Sequence, residues 1–338
     1  MPHGFHSSVL QPCLVLAEST VHTLDPFAIQ FNESFGIRWY GLAYLTGFVA
    51  GWLITRWLAK RGCVPMTVAQ VGDFITACVL GVVLGGRLGH ILFYEPALLT
   101  TFHNSFPYWG VLDLHKGGMS SHGGMVGCIL AMAWSAYIFR VPFMALCDTV
   151  CFIAPPGLML GRLANWVNGE LWGKVLPASM QQNPPFWSVK FPEEAILTAP
   201  TPTARAQAEH LYAMAYSGSA EAAQQIAQLV PARFPSQWFQ AFTDGPVLML
   251  VLVLVWLKPR HAGTLFGVFF ITYGLLRILS EQFREPDAGV YMIGPVTLPM
   301  MLSGGMVLLG VGAWVANLRN LMVGGLLAPA GRARVLHQ

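Results

Sequence analysis

The chain has 338 residues, of which 54% are hydrophobic and 10% charged, and its net charge is +3. With a mean hydropathy of +0.54, that balance excludes a soluble domain of this length, and with no Lys/Arg-rich run it gives no support to a nucleic-acid partner. Several stretches of about 20 apolar residues identify an all-α polytopic membrane protein.

Residues 1–38 are expected as an extracytoplasmic N-terminal segment. They contain acids and only a short apolar run, so no cleavable signal peptide is expected. Cys13 follows "VLQP", without the small residue that precedes a lipidated cysteine. The six cysteines form no CxxC pair, and most fall in apolar stretches as small buried hydrophobes. Seven spans come next, roughly 39–58, 72–94, 119–139, 145–167, 238–257, 263–283 and 298–317. The domain plan is therefore spans one to four over 39–167, an extracytoplasmic head over 168–237, spans five to seven over 238–318 and a cytoplasmic tail over 319–338. The short basic connections hold Arg56, Lys60, Arg61, Arg140, Lys258 and Arg260. They are assigned to the cytoplasm, which puts the N-terminus outside and the C-terminus inside.

Span one opens with "RWYGLAY", giving Tyr40 as a hydroxyl near the outer surface. Span two carries Gly81, Gly85 and Gly89 at intervals of four, a stripe that permits close helix approach. It also carries Arg87. Span three opens with "GGMSSHGGMVG", which sets His122 near a helix N-terminus flanked by glycines. Free backbone N–H groups there favour an anion. His122 suits a general base or acid, or a neutral hydrogen-bond donor; a glycine-packed helix start with an incidental histidine is the plainer reading.

Span four ends in "GRLANWVNGELWG". On a helix Arg162, Asn165 and Asn168 cover about 120° of one face. Gly169 suits a C-cap, releasing Glu170 into a loop that ends at Gly173. The long segment after it starts Pro-rich ("QQNPPFW"), then reads as two short helices broken at Ser217-Gly218-Ser219. In span six, Tyr273, Arg277, Glu281 and Arg284 lie within about 80° of one face. Arg277 and Glu281 at i, i+4 also suit a structural ion pair.

With Arg56 at the edge of span one counted in the basic connection that follows it, Arg87, Arg162 and Arg277 are the cationic residues placed inside these spans. Each costs about 2.5–3.5 kcal/mol at mid-membrane. Each lies in the last third of an even-numbered span, so all three approach the outer leaflet. Snorkelling explains any one of them. Counted against Glu281 as the in-span acid, three leave a positive surplus that asks for an anionic ligand, a lipid phosphate being the nearest abundant one.

Together these residues resemble the prolipoprotein diacylglyceryl transferase family. "GRLANWVNGELWG" is similar to that family's signature, with Trp166 in place of the usual Phe; "RWYGLAYLTGF", "LGGRLGHILFY", "GGMSSHGG" and "YGLLRILSEQFREPD" resemble further family blocks in order, over roughly residues 36–318. The resemblance implies a seven-span bacterial inner-membrane enzyme with no metal or cofactor. It would move the diacylglyceryl group of phosphatidylglycerol onto the lipobox cysteine, next to the signal peptide, of a preprolipoprotein. The products would be a thioether and glycerol phosphate, and the working unit a monomer. It implies catalytic roles for His122, Arg162, Arg277 and Tyr40. Substrate binding falls to Arg87, Asn165, Asn168, Glu170, Gly173, Tyr273 and Glu281. Because the nucleophile is the substrate's thiol, the enzyme needs no reactive cysteine.

The chain departs from the family pattern in two places. "FPSQWFQ" puts Phe234, Phe239 and Gln240 where His, Tyr and Glu are usual, and Lys116 and Ser121 stand where an acid and Phe are common. A transporter or lipid-binding protein with a cationic cavity is the alternative, as is a paralogue of altered activity. No inverted repeat or paired interrupted helices support a transporter, and no protease motif falls within the spans.

Overall fold

The computed structural model describes residues 19–30, 36–104, 108–113, 117–286, 292–294, 296–319 and 322–327. Among them, seven helices are long and apolar enough to cross a membrane: Trp39–Lys60, Val68–Phe93, Ser121–Phe139, Phe143–Val167, Ser236–Trp256, Thr264–Glu281 and Leu298–Ala316. They fall on the seven expected spans, and the chain is a multi-pass membrane protein. Cys13, Lys116 and most of the expected N-terminal segment and C-terminal tail lie outside the described residues.

Span edges are set by caps rather than hydropathy. Span two starts at Val68, earlier than the expected 72, because Thr67 and Gln70 close a capping box. The Gln70 N–H donates to the Thr67 hydroxyl at 3.3 Å and the Thr67 N–H to the Gln70 side-chain oxygen at 2.8 Å. Ser120 caps span three by accepting from the Gly123 N–H at 3.2 Å. Span six is capped from another helix: Asp148 of span four accepts the N–H groups of Gly263 and Phe266, each at 2.7 Å. A carboxylate thus satisfies orphan donors and meets the positive end of the helix dipole.

The described residues form two compact units. The larger takes those within 26–166, 237–282 and 286–338, and the smaller those within 1–25, 167–236 and 283–285. The larger unit packs Leu58, Phe74, Leu146, Phe152, Leu248, Leu252, Trp256 and Leu265 into one apolar core. Spans two and three touch through glycine. A Cβ at Gly81 would strike the Gly127 carbonyl, and one at Gly85 the Gly123 carbonyl, so the two backbones are in direct contact. This is the close approach the stripe predicts. On the same helix Leu80, Leu84, Leu88 and Leu92 are 50–60% exposed, which makes theirs the lipid-facing side.

The smaller unit is built mainly from chain before span one and chain after span four. Thr20–Val21 pairs in parallel with Val189–Lys190, so part of the expected N-terminal segment belongs here. Helices Pro202–Tyr216 and Ala220–Gln228 are broken at Ser217–Ser219, as expected, and Gly218 takes φ +98° in the turn. Ala208, Ala215, Ala222, Ile226 and Val230 form their shared core. His22, 2% exposed, sets its Nδ1 3.3 Å from the Tyr216 hydroxyl. Burial and the adjoining Tyr212 push that hydroxyl above the usual tyrosine range, so it stays protonated at neutral pH.

Candidate functional site

Four spans of the larger unit bring the expected residues together. Span four supplies Arg162 and Asn165, three residues apart on one face. The Asn165 amide donates to the Tyr40 hydroxyl of span one at 3.3 Å. Arg162 donates from Nε to Asp244 Oδ2 of span five at 3.0 Å, and Tyr273 of span six also hydrogen-bonds its side chain. One turn on from Tyr273, Arg277 pairs with Glu281 at 3.3 Å. Asp244 also lies in the field of Arg277, so the two guanidinium groups share one region. All four charged side chains are withdrawn from solvent: Arg162 at 16%, Asp244 at 0%, Arg277 at 11% and Glu281 at 3% exposure.

The charge count needs correction. Glu281 alone against three arginines gives a positive surplus, but Asp73, Asp148 and Asp244, inside spans two, four and five, are acids missing from that count, and of these Asp244 is the one that meets an arginine of the site. It balances Arg162 as Glu281 balances Arg277. Arg87 does not join them. It is 6% exposed, and its guanidinium is committed to the backbone carbonyls of Gly110, Val111, Gly117 and Gly118 at 2.7–3.1 Å. Those bonds fold the loop before span three onto span two. What remains is geometric. Asp244 takes one of the five N–H donors of Arg162. Among the described residues Tyr273 is its other side-chain partner, so the outer Nη edge keeps donors for a further acceptor.

His122 is the second residue of span three and is exposed. Among the described residues it makes no hydrogen bond or ion pair, and it is not brought into contact with the arginines. Ser121 is the first residue of the same helix.

The end of the signature belongs to the smaller unit. Asn168 donates to Glu170 at 3.2 Å, and the Trp172 indole N–H to the Gly169 carbonyl at 2.5 Å. Gly169 has φ +67°, as a helix C-cap requires. Gly173 has a packing duty that the resemblance did not reveal. A Cβ there would overlap the Phe234 carbonyl, and its own carbonyl accepts from Arg233 at 2.8 Å. Arg233 is the organising group of this unit and was missed from sequence. It grips Glu194 through two bonds of 2.8 and 2.6 Å, reaches Glu285 at 3.4 Å and lies 5.4 Å over the Trp172 ring. The signal available was a lone arginine beside "FPSQ", which carries no periodicity.

The departures also have structural accounts. Phe234 stacks on Trp187 at 5.9 Å and meets Phe283 edge-on at 5.5 Å, so a hydrophobic contact stands where a titrating ring is usual. Gln240 is 1% exposed, and neither of its amide atoms has a hydrogen-bond partner among the described residues.

Comparison with known proteins identifies the family. A family model described as prolipoprotein diacylglyceryl transferase matches residues 26–316. A phosphatidylglycerol–prolipoprotein diacylglyceryl transferase of Bdellovibrio bacteriovorus is 37% identical over 306 residues, covering 80% of this chain and 86% of that protein. Proteins of the same name from Bradyrhizobium diazoefficiens and Geobacter sulfurreducens are 37% and 38% identical, covering 85% of this chain each and 89% and 93% of their own lengths. With the match running from before span one to the end of span seven, the chain belongs to the prolipoprotein diacylglyceryl transferase family.

Proposed function

We propose that this chain transfers the diacylglyceryl group of phosphatidylglycerol to the lipobox cysteine thiol of a preprolipoprotein, releasing glycerol phosphate. The observation that carries the reading is the convergence of Arg162 and Arg277, from two separate spans, in one buried region beside Tyr273 and Asp244. In the reaction the thiol sulfur attacks the glycerol carbon that bears the phosphate. The carbon–sulfur bond forms as the carbon–oxygen bond breaks, and the thiol proton leaves to a base. Negative charge grows on the departing phosphate oxygen, where a guanidinium held in a low-dielectric site stabilises it most.

On this reading the Nη edge of Arg162 and the Arg277 guanidinium hold the phosphate. Tyr40, Asn165 and Tyr273 offer donors and acceptors for glycerol and ester oxygens. Glu281 holds Arg277, and the family signature assigns Asn168 and Glu170 to substrate binding as well. His122 takes the thiol proton; its exposure at a helix N-terminus suits a group that must meet an incoming peptide. The N-terminus and the segment over 168–237 face the extracytoplasmic side, and the C-terminus the cytoplasm.

The test is incubation of the purified protein with phosphatidylglycerol vesicles and a lipobox peptide, read by mass. Peptide gaining one diacylglyceryl group supports the reading; unmodified cysteine under conditions where a relative is active overturns it. R162A and R277A are expected to abolish turnover while the protein stays folded. Near-normal activity in either makes that arginine structural. H122Q with an unchanged pH–rate profile would remove His122 as the base.

A further inference from the structure

We propose that Asp244 is the positioning residue for Arg162, and that the wide helical turn carrying it is built for that purpose. The inference rests on the reading of Arg162 as a phosphate-binding group. Span five is not a uniform α-helix. Thr243–Val247 forms a π-helical turn with Pro246 inside it. Proline has no N–H and cannot continue the regular ladder, and a widened turn admits the extra residue. The Thr243 hydroxyl ties the turn back to the preceding one through the carbonyls of Phe239 and Gln240 at 3.0 and 3.2 Å. Such turns commonly mark functional sites in helices.

The turn fits against span four at two neighbouring points. Gly245 faces Met159: a Cβ on Gly245 would lie 2.7 Å from Met159 Cβ and 3.0 Å from its Cγ. One turn along span four from Met159, Asp244 meets Arg162 at 3.0 Å. Without a side chain at 245 the helices close, and that closure brings a wholly buried carboxylate to the guanidinium. The contact is made through Nε, the inner edge of the fork. An arginine held by that edge presents its outer Nη pair in a fixed direction, the arrangement that suits bidentate binding of a tetrahedral oxyanion. A carboxylate that served charge balance alone would be as well placed on the outer edge.

The experiment is a double-mutant cycle on the full-length protein in phosphatidylglycerol vesicles, with kcat and KM for the lipid read separately and folding checked by thermal melt. D244A is expected to lower kcat about 100-fold, the loss typical of removing one charge-stabilising group. Because R162A is expected to be inactive, the cycle is closed with R162K, which keeps the charge and a measurable rate but loses the Nε contact: R162K/D244A should be no slower than R162K alone, since both remove one device. D244N keeps an oxygen that accepts from Nε and should stay within about tenfold of the wild-type rate. G245A, which pushes Met159 away, should lower kcat about tenfold with KM little changed. D244A, or D244N and G245A together where D244A does not fold, turning over at the wild-type rate overturns the proposal. Losses in the double variant that multiply the two single losses remove the positioning role and leave Arg162 in place. R162A at full activity would remove both this proposal and the reading beneath it.

Discussion

At the scale of single residues the arginines divide by what their guanidinium groups touch. Among the described residues Arg87 donates to backbone carbonyls alone. Its removal orphans two buried acceptors, the carbonyls of Gly110 and Val111, each costing about 1–3 kcal/mol when unsatisfied, and frees the more exposed carbonyls of Gly117 and Gly118. R87A should therefore destabilise the protein by at least about 2 kcal/mol, visible as a lower melting temperature, whereas any fall in activity should track the folded fraction. An R87A protein with normal melting and a raised KM for lipid would restore Arg87 to the substrate site. Arg233 and Glu194 form the buried pair of the smaller unit, each side chain 8% exposed. Breaking such a pair leaves a buried charge, so R233A should cost about 3–5 kcal/mol and E194Q, which keeps its hydrogen-bonding oxygen, clearly less. Limited proteolysis within 167–236 reports the difference, and equal resistance of both variants to wild type would contradict it. Much of the site was legible in the chain, because an arginine in a membrane span is costly enough to announce itself. Its partners were not. Asp244 sits in an otherwise apolar run beside Gly-Pro, and its pairing with Arg162 depends on tertiary distance, which no spacing within span five encodes.

Elements were legible where one physical term dominates. A run of about 20 apolar residues must become a helix in lipid, since every backbone group needs an internal partner. All seven spans therefore fell where hydropathy put them. Their ends did not, because a capping box at Thr67 and Gln70 outweighs a few residues of weak hydropathy. The glycine stripe was legible for a related reason: repeats of four on a helix share a face, and among apolar residues only a stripe without side chains lets two backbones touch. The wide turn in span five was not, since Gly-Pro read in isolation marks a break as well as a bulge. The stripe supports a paired prediction. G85A places a methyl against the Gly123 carbonyl and should destabilise the protein by about 1–3 kcal/mol. Gly304 of span seven has nothing within 4 Å of its would-be Cβ, so G304A should be neutral or stabilise by about 0.5–1 kcal/mol. Thermal melts in one detergent compare the two directly, and equal shifts would mean that spans two and three do not depend on backbone contact.

At the scale of the whole molecule, the direction of the spans decides which leaflet supplies the lipid. Arg162 and Arg277 lie near the C-terminal ends of spans four and six, and even-numbered spans run the same way through the membrane. Their guanidinium groups therefore approach a single membrane face whatever the orientation. On the proposed orientation, which rests on the basic connections at Arg56, Lys60, Arg61, Arg140, Lys258 and Arg260, that face is the outer one, where a secreted substrate's cysteine would emerge. The orientation is tested by single cysteines in a background with its six native cysteines replaced. Ser217→Cys lies in the exposed turn between two helices of the smaller unit, and Lys258→Cys in the exposed connection between spans five and six. A membrane-impermeant maleimide should label the first in intact spheroplasts and the second only after lysis. The reverse pattern would turn the arginine-bearing face toward the cytoplasm. The chemistry proposed at Arg162 would then have to draw on inner-leaflet lipid and on a precursor not yet exported, so the labelling result constrains the mechanism as well as the topology.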